Sequence, residues 1–568
     1  MPTHSEISSF VFKIADKVLR GPFKQKEYGD VILPFIVLRR LDCVLEPHKD
    51  TVINLYNEYK SQVDDPAPII LGKVKTTFFN HSQYDLNRLR QDPSNVMMNF
   101  KNYLNGYSDN VIEIVKNFEF DKPLERLDEN DRLFQFIEIF SEIDLHPNVV
   151  SNHQMGQIFE ELLRRFSELS NESSGEHYTP RDIVKLLVSM VFSPEKEKLQ
   201  GKGKIRSIYD PCCGTGGMLT LGQDWVHKNI NDKIEFRLLG QELNPQTYSI
   251  CKSDMMISGS DPENIKYGSS LSKDGFKSEK FDYMITNPPY GEDWNSDKVF
   301  VKNERENPEG RFSAGLPRIS DGQLLFVQHM ISKMESIGSR IGVVLNGSPL
   351  FTGDAGSGES EIRKWIIESD MLDCIVSLPD QLFFNTGIST YLWILTNKKS
   401  EERQGKVQLI NGSSFFKKLK KSLGKKRKEV TEKERCNILE IYTNFVESEY
   451  SQIHDNEYFG YTKVTIEQPK IEDGEVVTNK QGKPKLDTSK RDHERIPLTV
   501  DIEEYFDREV KPHLPDSWMD ESKNKVGYEI NFTKYFYQYK PLRSLSDIIQ
   551  DLLKLEEESE NLLKEVIG

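Results

Sequence analysis

Cysteine is sparse, six residues in a chain of 568, and no two stand at Cys-x-x-Cys spacing. That excludes a disulfide framework and a cysteine-ligated zinc site, and it fits a reducing compartment. The adjacent pair Cys212-Cys213 reads as small residues filling a tight loop, not as a metal or redox site. No long apolar run and no charged-plus-apolar leader appears, so neither membrane insertion nor export is expected and the expected location is cytoplasmic. Positive charge is short as well: 75 Lys and Arg against 90 Asp and Glu leave a net charge of −15. A chain so acidic is a poor free-standing ligand for nucleic acid, whose binding rests on phosphate neutralisation.

Against these absences stand three motifs. Ile205 to Asp210 reads as a short buried strand, and Asp210-Pro211-Cys212-Cys213-Gly214-Thr215-Gly216-Gly217 then opens a helix from about Met218 to Asn229. A strand, a glycine-rich turn and a helix N-terminus make a nucleotide-binding start, because glycine lets backbone approach a ligand and the first helical N–H groups are free. No Gly-Lys-Ser/Thr follows, so the turn is not the phosphate loop of triphosphatases. The next strand, Ile234 to Leu239, runs into Gly240-Gln241-Glu242, an acidic side chain placed to take both hydroxyls of a ribose. Further on, the apolar run Phe281 to Thr286 ends in Asn287-Pro288-Pro289-Tyr290. The Asn287 amide oxygen and the Pro288 carbonyl can both accept from an exocyclic amino group, Tyr290 can stack on the ring behind it, and two prolines preorganise the acceptors. Taken alone, Asn-Pro-Pro is also common turn punctuation.

Together these motifs resemble class I S-adenosylmethionine-dependent methyltransferases acting on N6 of adenine in DNA. Gly175-Glu176-His177-Tyr178-Thr179-Pro180-Arg181, followed by an amphipathic stretch from Asp182 to Val191, resembles the cofactor-contacting segment that precedes the glycine loop in the modification subunits of type I restriction-modification systems. The likeness extends to Glu27 to Pro34 with Leu38-Arg39-Arg40-Leu41, to Gly156 to Glu160, to Leu378 to Ile388 and to Gly527-Tyr528-Glu529-Ile530. It implies an α/β, Rossmann-like methyltransferase core with a helical N-terminal domain and a helical C-terminal tail. It also implies S-adenosyl-L-methionine bound by Glu176, His177, Tyr178, Thr179, Pro180, Arg181, Asp210, Gly214, Thr215, Gly216, Gly217 and Glu242, and catalysis by Asn287, Pro288, Pro289 and Tyr290. No metal is implied. The implied partners are DNA, a specificity subunit that chooses the target, a second copy of this chain and a restriction (translocase/nuclease) subunit, with no membrane.

Organisation follows the same reading. Residues 1–165 are expected to be a helical domain with amphipathic stretches at Ile7 to Leu19, Val31 to Leu45 and Val111 to Phe118, and residues 166–410 the catalytic domain. Within the latter, Gly291 to Asp321 is polar and without period, and reads as a mobile loop. Residues 411–540 read as a polar extension, exposed over 411 to 500, and residues 541–568 as a helix for partner contact, with Leu545, Ile548, Ile549, Leu552 and Leu553 near heptad spacing. One basic cluster, Lys417 to Lys428, is either a solvated loop or a contact to a nucleic-acid backbone. Phe384 is either the second aromatic face for a flipped base or a core residue beside Phe383. The family pattern has Asp or Asn after the glycine that ends the third strand, whereas here Ser269 follows Gly268, which implies a weaker or water-mediated contact to the cofactor's adenine. Two other functions remain open at this stage: methylation of another planar nitrogen, in an RNA base or a protein glutamine, and a non-catalytic scaffold of the same fold.

Overall fold

The computed structural model of the protein describes residues 17–170, 179–384, 386–472, 475–479, 481–482, 484–537 and 544–567. Glu176, His177 and Tyr178 lie outside the described residues, as does most of the expected helix from Ile7 to Leu19. The centre is a nine-stranded mixed sheet whose strands are β1 (Ile205–Asp210), β2 (Glu235–Glu242), β3 (Ile265–Tyr267), β4 (Tyr283–Thr286), β5 (Arg340–Asn346), β6 (Leu372–Ser377), β7 (Thr390–Thr396), β8 (Lys406–Asn411) and, after a hairpin of β9 (Lys417–Leu423) and β10 (Lys426–Glu429), β11 (Ser451–Asp455). Their order is β11-β8-β6-β7-β5-β4-β1-β2-β3. The run from β3 to β5 is parallel, and β7 inserts antiparallel between β5 and β6. This is the Rossmann-like class expected from the motifs. Its strand order reverses between β1 and β4, and crevices for ligands form at the carboxyl ends of strands at such a reversal.

Both faces of the central strands are covered; every residue of β4 and of β6 is buried. Helix Arg181–Phe192 lies across this sheet with nine buried side chains, sharing one cluster with Ile208 of β1, Ile285 of β4 and Val344 of β5. The helix after the glycine loop, Gly217–Asn229, packs beside it.

The helical N-terminal region builds around Tyr28–Leu45, which is buried along almost its whole length. Its Arg39 and Arg40 are buried too, and each is matched by carbonyls: Arg39 Nε donates to Ile143 O at 2.6 Å, and Arg40 donates to Leu145 O, to Val150 O at 2.6 Å and to Asn152 Oδ1 at 2.7 Å. These contacts fix the start of helix Asn152–Ser170, which carries Gly156 and Glu160. The region's hydrophobic cluster continues into the α/β core through Ile250 and Met256 of helix Pro245–Ser258. The same helix is tied by Lys252 Nζ to Glu113 at 2.8 Å and by Gln246 Nε2 to Asp30 at 2.8 Å.

Two expectations differ from the structure. The stretch 411 to 500, read as exposed, contributes β11 to the main sheet and β12 (Gly460–Glu467) to a second, four-stranded sheet. It carries buried Val464, Ile466 and Ile496 among many charges, the first two on β12, which has strands paired on both sides. Gly291 to Asp321, read as a mobile loop, is ordered by a small core of its own: Trp294, Val301 and Phe312 pack with Leu271 and Leu325. Among the described residues, those up to Ile530 form one compact unit and those from Asn531 a second, which holds helices Phe532–Tyr535 and Leu545–Ile567. No helix among the described residues is long and apolar enough to cross a membrane.

Candidate active site

The carboxyl ends of β1, β2 and β4 meet at one cavity of about 570 Å³. At the end of β1 the loop turns through Gly214 and Gly216, with φ of +53° and +82°, a region other residues adopt only under strain. A Cβ at Gly216 would also meet Cys251 Sγ at 2.8 Å. Cys213 Sγ lies 4.0 Å from Cys251 Sγ, both buried under the loop, and Cys212 lines the cavity.

Two carboxylates organise the loop. Glu242, ending β2, accepts from Gly214 N at 2.8 Å with one oxygen and from Asn244 N at 2.7 Å with the other. Asp210, ending β1, accepts from Cys212 N at 2.9 Å and from Thr286 Oγ1 at 2.6 Å. Thr286 ends β4, so a single carboxylate links the glycine loop to the strand that carries Asn287. Burial pushes the Asp210 pKa up to about 7; the hydrogen bonds from Thr286 and Cys212 oppose the rise and the charge of Glu242 adds to it.

Beyond β4, Asn287 and Pro289 face the cavity. Pro288 and Tyr290 are buried behind them. The Tyr290 hydroxyl donates to Asn287 Oδ1, and its ring meets Phe383 edge to face at 6.2 Å between centroids. The aromatic partner of Tyr290 is thus Phe383, whereas Phe384 is half-buried beside the Lys426 ammonium.

Of the remaining expected cofactor residues, Thr179, Gly214, Thr215 and Gly217 face the cavity. Pro180 is buried at the start of helix Arg181–Phe192. Arg181 turns to Glu160, with Nε and Nη2 each 3.0 Å from a carboxylate oxygen, and its Nη1 approaches His153. Its geometry is that of a fork clamping a neighbouring helix. Glu160 itself faces the cavity, and its Oε1 lies 3.3 Å from where a Cβ on Gly217 would be. Sequence reasoning included Glu160 in a motif without giving it a role. Its signal was the Gly156 and Glu160 pair at one-turn spacing, since a Cβ at Gly156 would meet Arg181 Nη2 at 2.9 Å.

The far wall comes from the ordered segment after Tyr290. Glu292, Asp293, Trp294 and Asp297 face the cavity, as do Ser269 and Leu271. The segment is held by Arg311, which donates to the carbonyls of Ser270 and Leu271 at 2.7 Å each, to His329 Nδ1 at 2.8 Å and to Glu304. His329 is held neutral there, burial and the Arg311 charge pushing its pKa down to about 3. Ser269 Oγ accepts from Leu271 N at 3.2 Å, forming a local turn on the wall where the family pattern has an acid or amide.

The residues fit a bound S-adenosylmethionine. The cavity volume is that of a small-molecule site, Gly214 and Gly216 hold a backbone conformation strained for other residues, and the walls hold Glu160, Asp210, Glu242, Glu292, Asp293 and Asp297 against a ligand with a net positive charge.

Comparison with known proteins agrees with this reading. Residues 150–482 match the family model described as N-6 DNA Methylase, and residues 7–140 match the HsdM N-terminal domain. The chain is 26% identical over 537 residues to the type I restriction enzyme MjaIX methylase subunit of Methanocaldococcus jannaschii, covering 92% of this chain and 90% of that protein. It is 31% identical over 258 residues to the type I restriction enzyme HindI methylase subunit of Haemophilus influenzae, covering 45% of this chain and 54% of that one. In fold it is similar to the type I restriction-modification system methyltransferase subunit from Streptococcus thermophilus, with a TM-score of 0.64 at 21% identity over 81% of this chain and 97% of that chain. The N-6 DNA Methylase match takes in the glycine loop, Glu242 and the Asn-Pro-Pro-Tyr turn and spans more than half of the chain, and the protein therefore belongs to the N-6 DNA methylase family.

Proposed function

We propose that the chain transfers a methyl group from S-adenosylmethionine to N6 of an adenine flipped out of DNA, at a target chosen by a separate specificity subunit. The observation that carries this reading is the opening of Asn287 onto the same cavity as the glycine loop and Glu242. Single-molecule sequencing of DNA treated with the chain plus its specificity subunit should show N6-methyladenine at one bipartite site, and unmodified DNA would overturn it.

Glu242, the Gly214 to Gly217 loop and Thr179, which line the cavity, would hold the cofactor. When bound, the cofactor supplies an electrophilic methyl on a sulfonium. The protein's task is alignment: the Asn287 amide oxygen and the Pro288 carbonyl accept from the adenine amino group, which raises the availability of its lone pair. In the conformation observed, Asn287 Oδ1 already accepts from the Tyr290 hydroxyl. An arriving amino group therefore replaces an O–H donor by an N–H donor, and Tyr290, now buried, must swing out of its contact with Phe383 to stack on the base. Base stacking on that ring partly offsets the cost of unstacking the duplex. We further propose two copies of this chain around one specificity subunit, with a restriction subunit as an additional partner.

Two results test the cofactor site. Glu242→Ala should weaken S-adenosylmethionine binding by about 1.5–3 kcal/mol, the value of a charged hydrogen-bonding group. The variant also loses the acceptor for Gly214 N and Asn244 N, so calorimetry should show the loss mainly as enthalpy; unchanged affinity would remove Glu242 from the site. The second result concerns pH. With Asp210 at about 7, ionisation costs free energy in the empty site, and a cationic ligand favours the ionised form. Affinity should rise about tenfold from pH 6 to pH 8 and level off above. Binding near neutrality should release a proton, seen as heats that depend on the buffer, and Asp210→Asn should flatten the profile.

A further inference from the structure

The β9–β10 hairpin has no part in the catalytic geometry, yet it is the most basic feature of an acidic chain. Eight of the twelve residues from Lys417 to Lys428 are Lys or Arg, in a protein of net charge −15. A two-stranded hairpin is marginal by itself, and this one is held from outside. Lys426, buried, reaches Asp182 Oδ1 at 3.0 Å and Oδ2 at 3.1 Å, and Val430 N donates to the same carboxylate at 2.9 Å. Asp182 lies in the first turn of helix Arg181–Phe192, just after Thr179 and Pro180. On its other side the hairpin is stitched to the loop that carries Phe383: Lys425 N donates to Phe384 O at 2.7 Å and Arg427 N to Gln381 O at 2.9 Å, while Lys428 pairs with Asp380. The turn fits closely, since a Cβ at Gly424 would meet Phe384 O at 2.4 Å.

The basic residues thus divide into two sets. Lys426 and Lys428 are spent on anchoring. Lys417, Lys418, Lys420, Lys421, Lys425 and Arg427 are exposed, and among the described residues none has an acidic partner within ion-pair distance. A ribbon with lysines on both faces cannot be covered by an apolar surface, and a ribbon that served solubility alone would not concentrate one sign of charge where the rest of the chain carries the other. Through Phe383, which touches the Tyr290 ring, the hairpin stands next to the residues assigned above to the flipped base.

We propose that the β9–β10 hairpin binds the phosphate backbone of DNA beside the target adenine, with Lys417, Lys418, Lys420 and Lys421 as the contacts. This inference rests on the function proposed above. It assigns the hairpin to positioning without sequence information, because point cations on flexible stems neutralise phosphates and do not read bases. The anchors on Asp182 and on Gln381 to Phe384 join that grip to both the cofactor side and the base side of the cavity.

The test is made on the full chain assembled with its specificity subunit. Lys417, Lys418, Lys420 and Lys421 are changed together to Gln, leaving the anchoring Lys426 and Lys428 intact. Affinity for cognate and for unrelated duplexes should fall by a similar factor, at least tenfold at about 0.1 M salt, and the slope of log K against log salt should shrink by about 0.9 for each phosphate no longer neutralised. S-adenosylmethionine affinity and assembly with the specificity subunit should stay as in the wild type. Unchanged DNA affinity and salt slope in an assembled variant would overturn the proposal, as would loss of assembly, which would make the hairpin a protein-binding face. A wild-type complex that fails to bind or methylate DNA would instead count against the proposed function, before the variant is considered.

Discussion

Asn287→Ala should lower the rate of methyl transfer by about a hundredfold to a thousandfold or more, the scale seen when one preorganised polar contact to a reacting group is removed, while leaving S-adenosylmethionine affinity within a few-fold. The split follows from position. Asn287 follows the end of β4 and faces the cavity, and the residues that organise the loop, Asp210 and Glu242, make their hydrogen bonds to Cys212, Thr286, Gly214 and Asn244. None of those bonds includes the Asn287 amide. The substitution therefore takes away an interaction with the amino group and leaves the cofactor's groups in place, so the single-turnover rate falls and the binding constant does not. It also deprives the Tyr290 hydroxyl of the acceptor it has on Asn287, so a melting curve must accompany the kinetics. Tyr290→Phe is the companion variant: it keeps the ring for stacking and removes only that hydroxyl, and it should retain transfer to within about tenfold, since stacking is sequence-tolerant ring chemistry. Transfer at near wild-type rate by a folded Asn287→Ala protein would exclude the mechanism.

How far the molecule is legible in its sequence depends on whether the signal is local. β1, β2 up to Glu242 and the stretch from β4 to Asn287 are short segments that end in turn-forming or acidic residues, and each declares itself within ten residues. β6 does not. Its sequence, Leu372-Asp373-Cys374-Ile375-Val376-Ser377, carries an acid in what is a fully buried strand. The acid is accommodated because Arg340 of β5, Arg403 and the Tyr442 hydroxyl surround it, with Arg340 Nη2 at 3.2 Å and Arg403 Nη1 at 3.1 Å. Those partners lie 30 to 69 positions away in the chain, and no periodicity reports them. The segment after Tyr290 was obscured for a similar reason. Its order depends on three apolar side chains, Trp294, Val301 and Phe312, spaced too irregularly for a helix or strand pattern, and on Arg311, whose acceptors come from the loop after β3. Glu160 shows the same limit in the site itself: it reaches the cavity from the helical region, across the pairing with Arg181, so its role depends on a tertiary contact.

Deleting Ser544 to Gly568 should abolish co-purification with the specificity subunit while S-adenosylmethionine binding by the remaining chain persists. Helix Leu545–Ile567 belongs to the second compact unit, and it leaves apolar side chains in solvent. Leu545 is 74% exposed, Leu552 60% and Leu555 61%, with Ile548, Ile549 and Leu553 exposed as well. Their spacing of three and four residues sets them along one stripe of the helix. Full burial of such side chains is worth about 1.5–3 kcal/mol each, so six of them half covered reach roughly 5–9 kcal/mol, which spans submillimolar to submicromolar association. A solvated tail has no use for that much apolar surface, and a helical partner offering a matching stripe does. The deletion removes the whole contribution without touching Asp210, Glu242 or Asn287, which is why assembly and cofactor binding should separate. A truncated chain that still co-purifies with the specificity subunit would show that the contact lies elsewhere. A truncated chain that is insoluble or has lost cofactor binding would show that the tail is needed by its own protein. Replacing Ile549 and Leu552 with Glu in the full-length chain gives the same answer without truncation, since a stripe that meets a partner loses assembly when two of its central residues are charged.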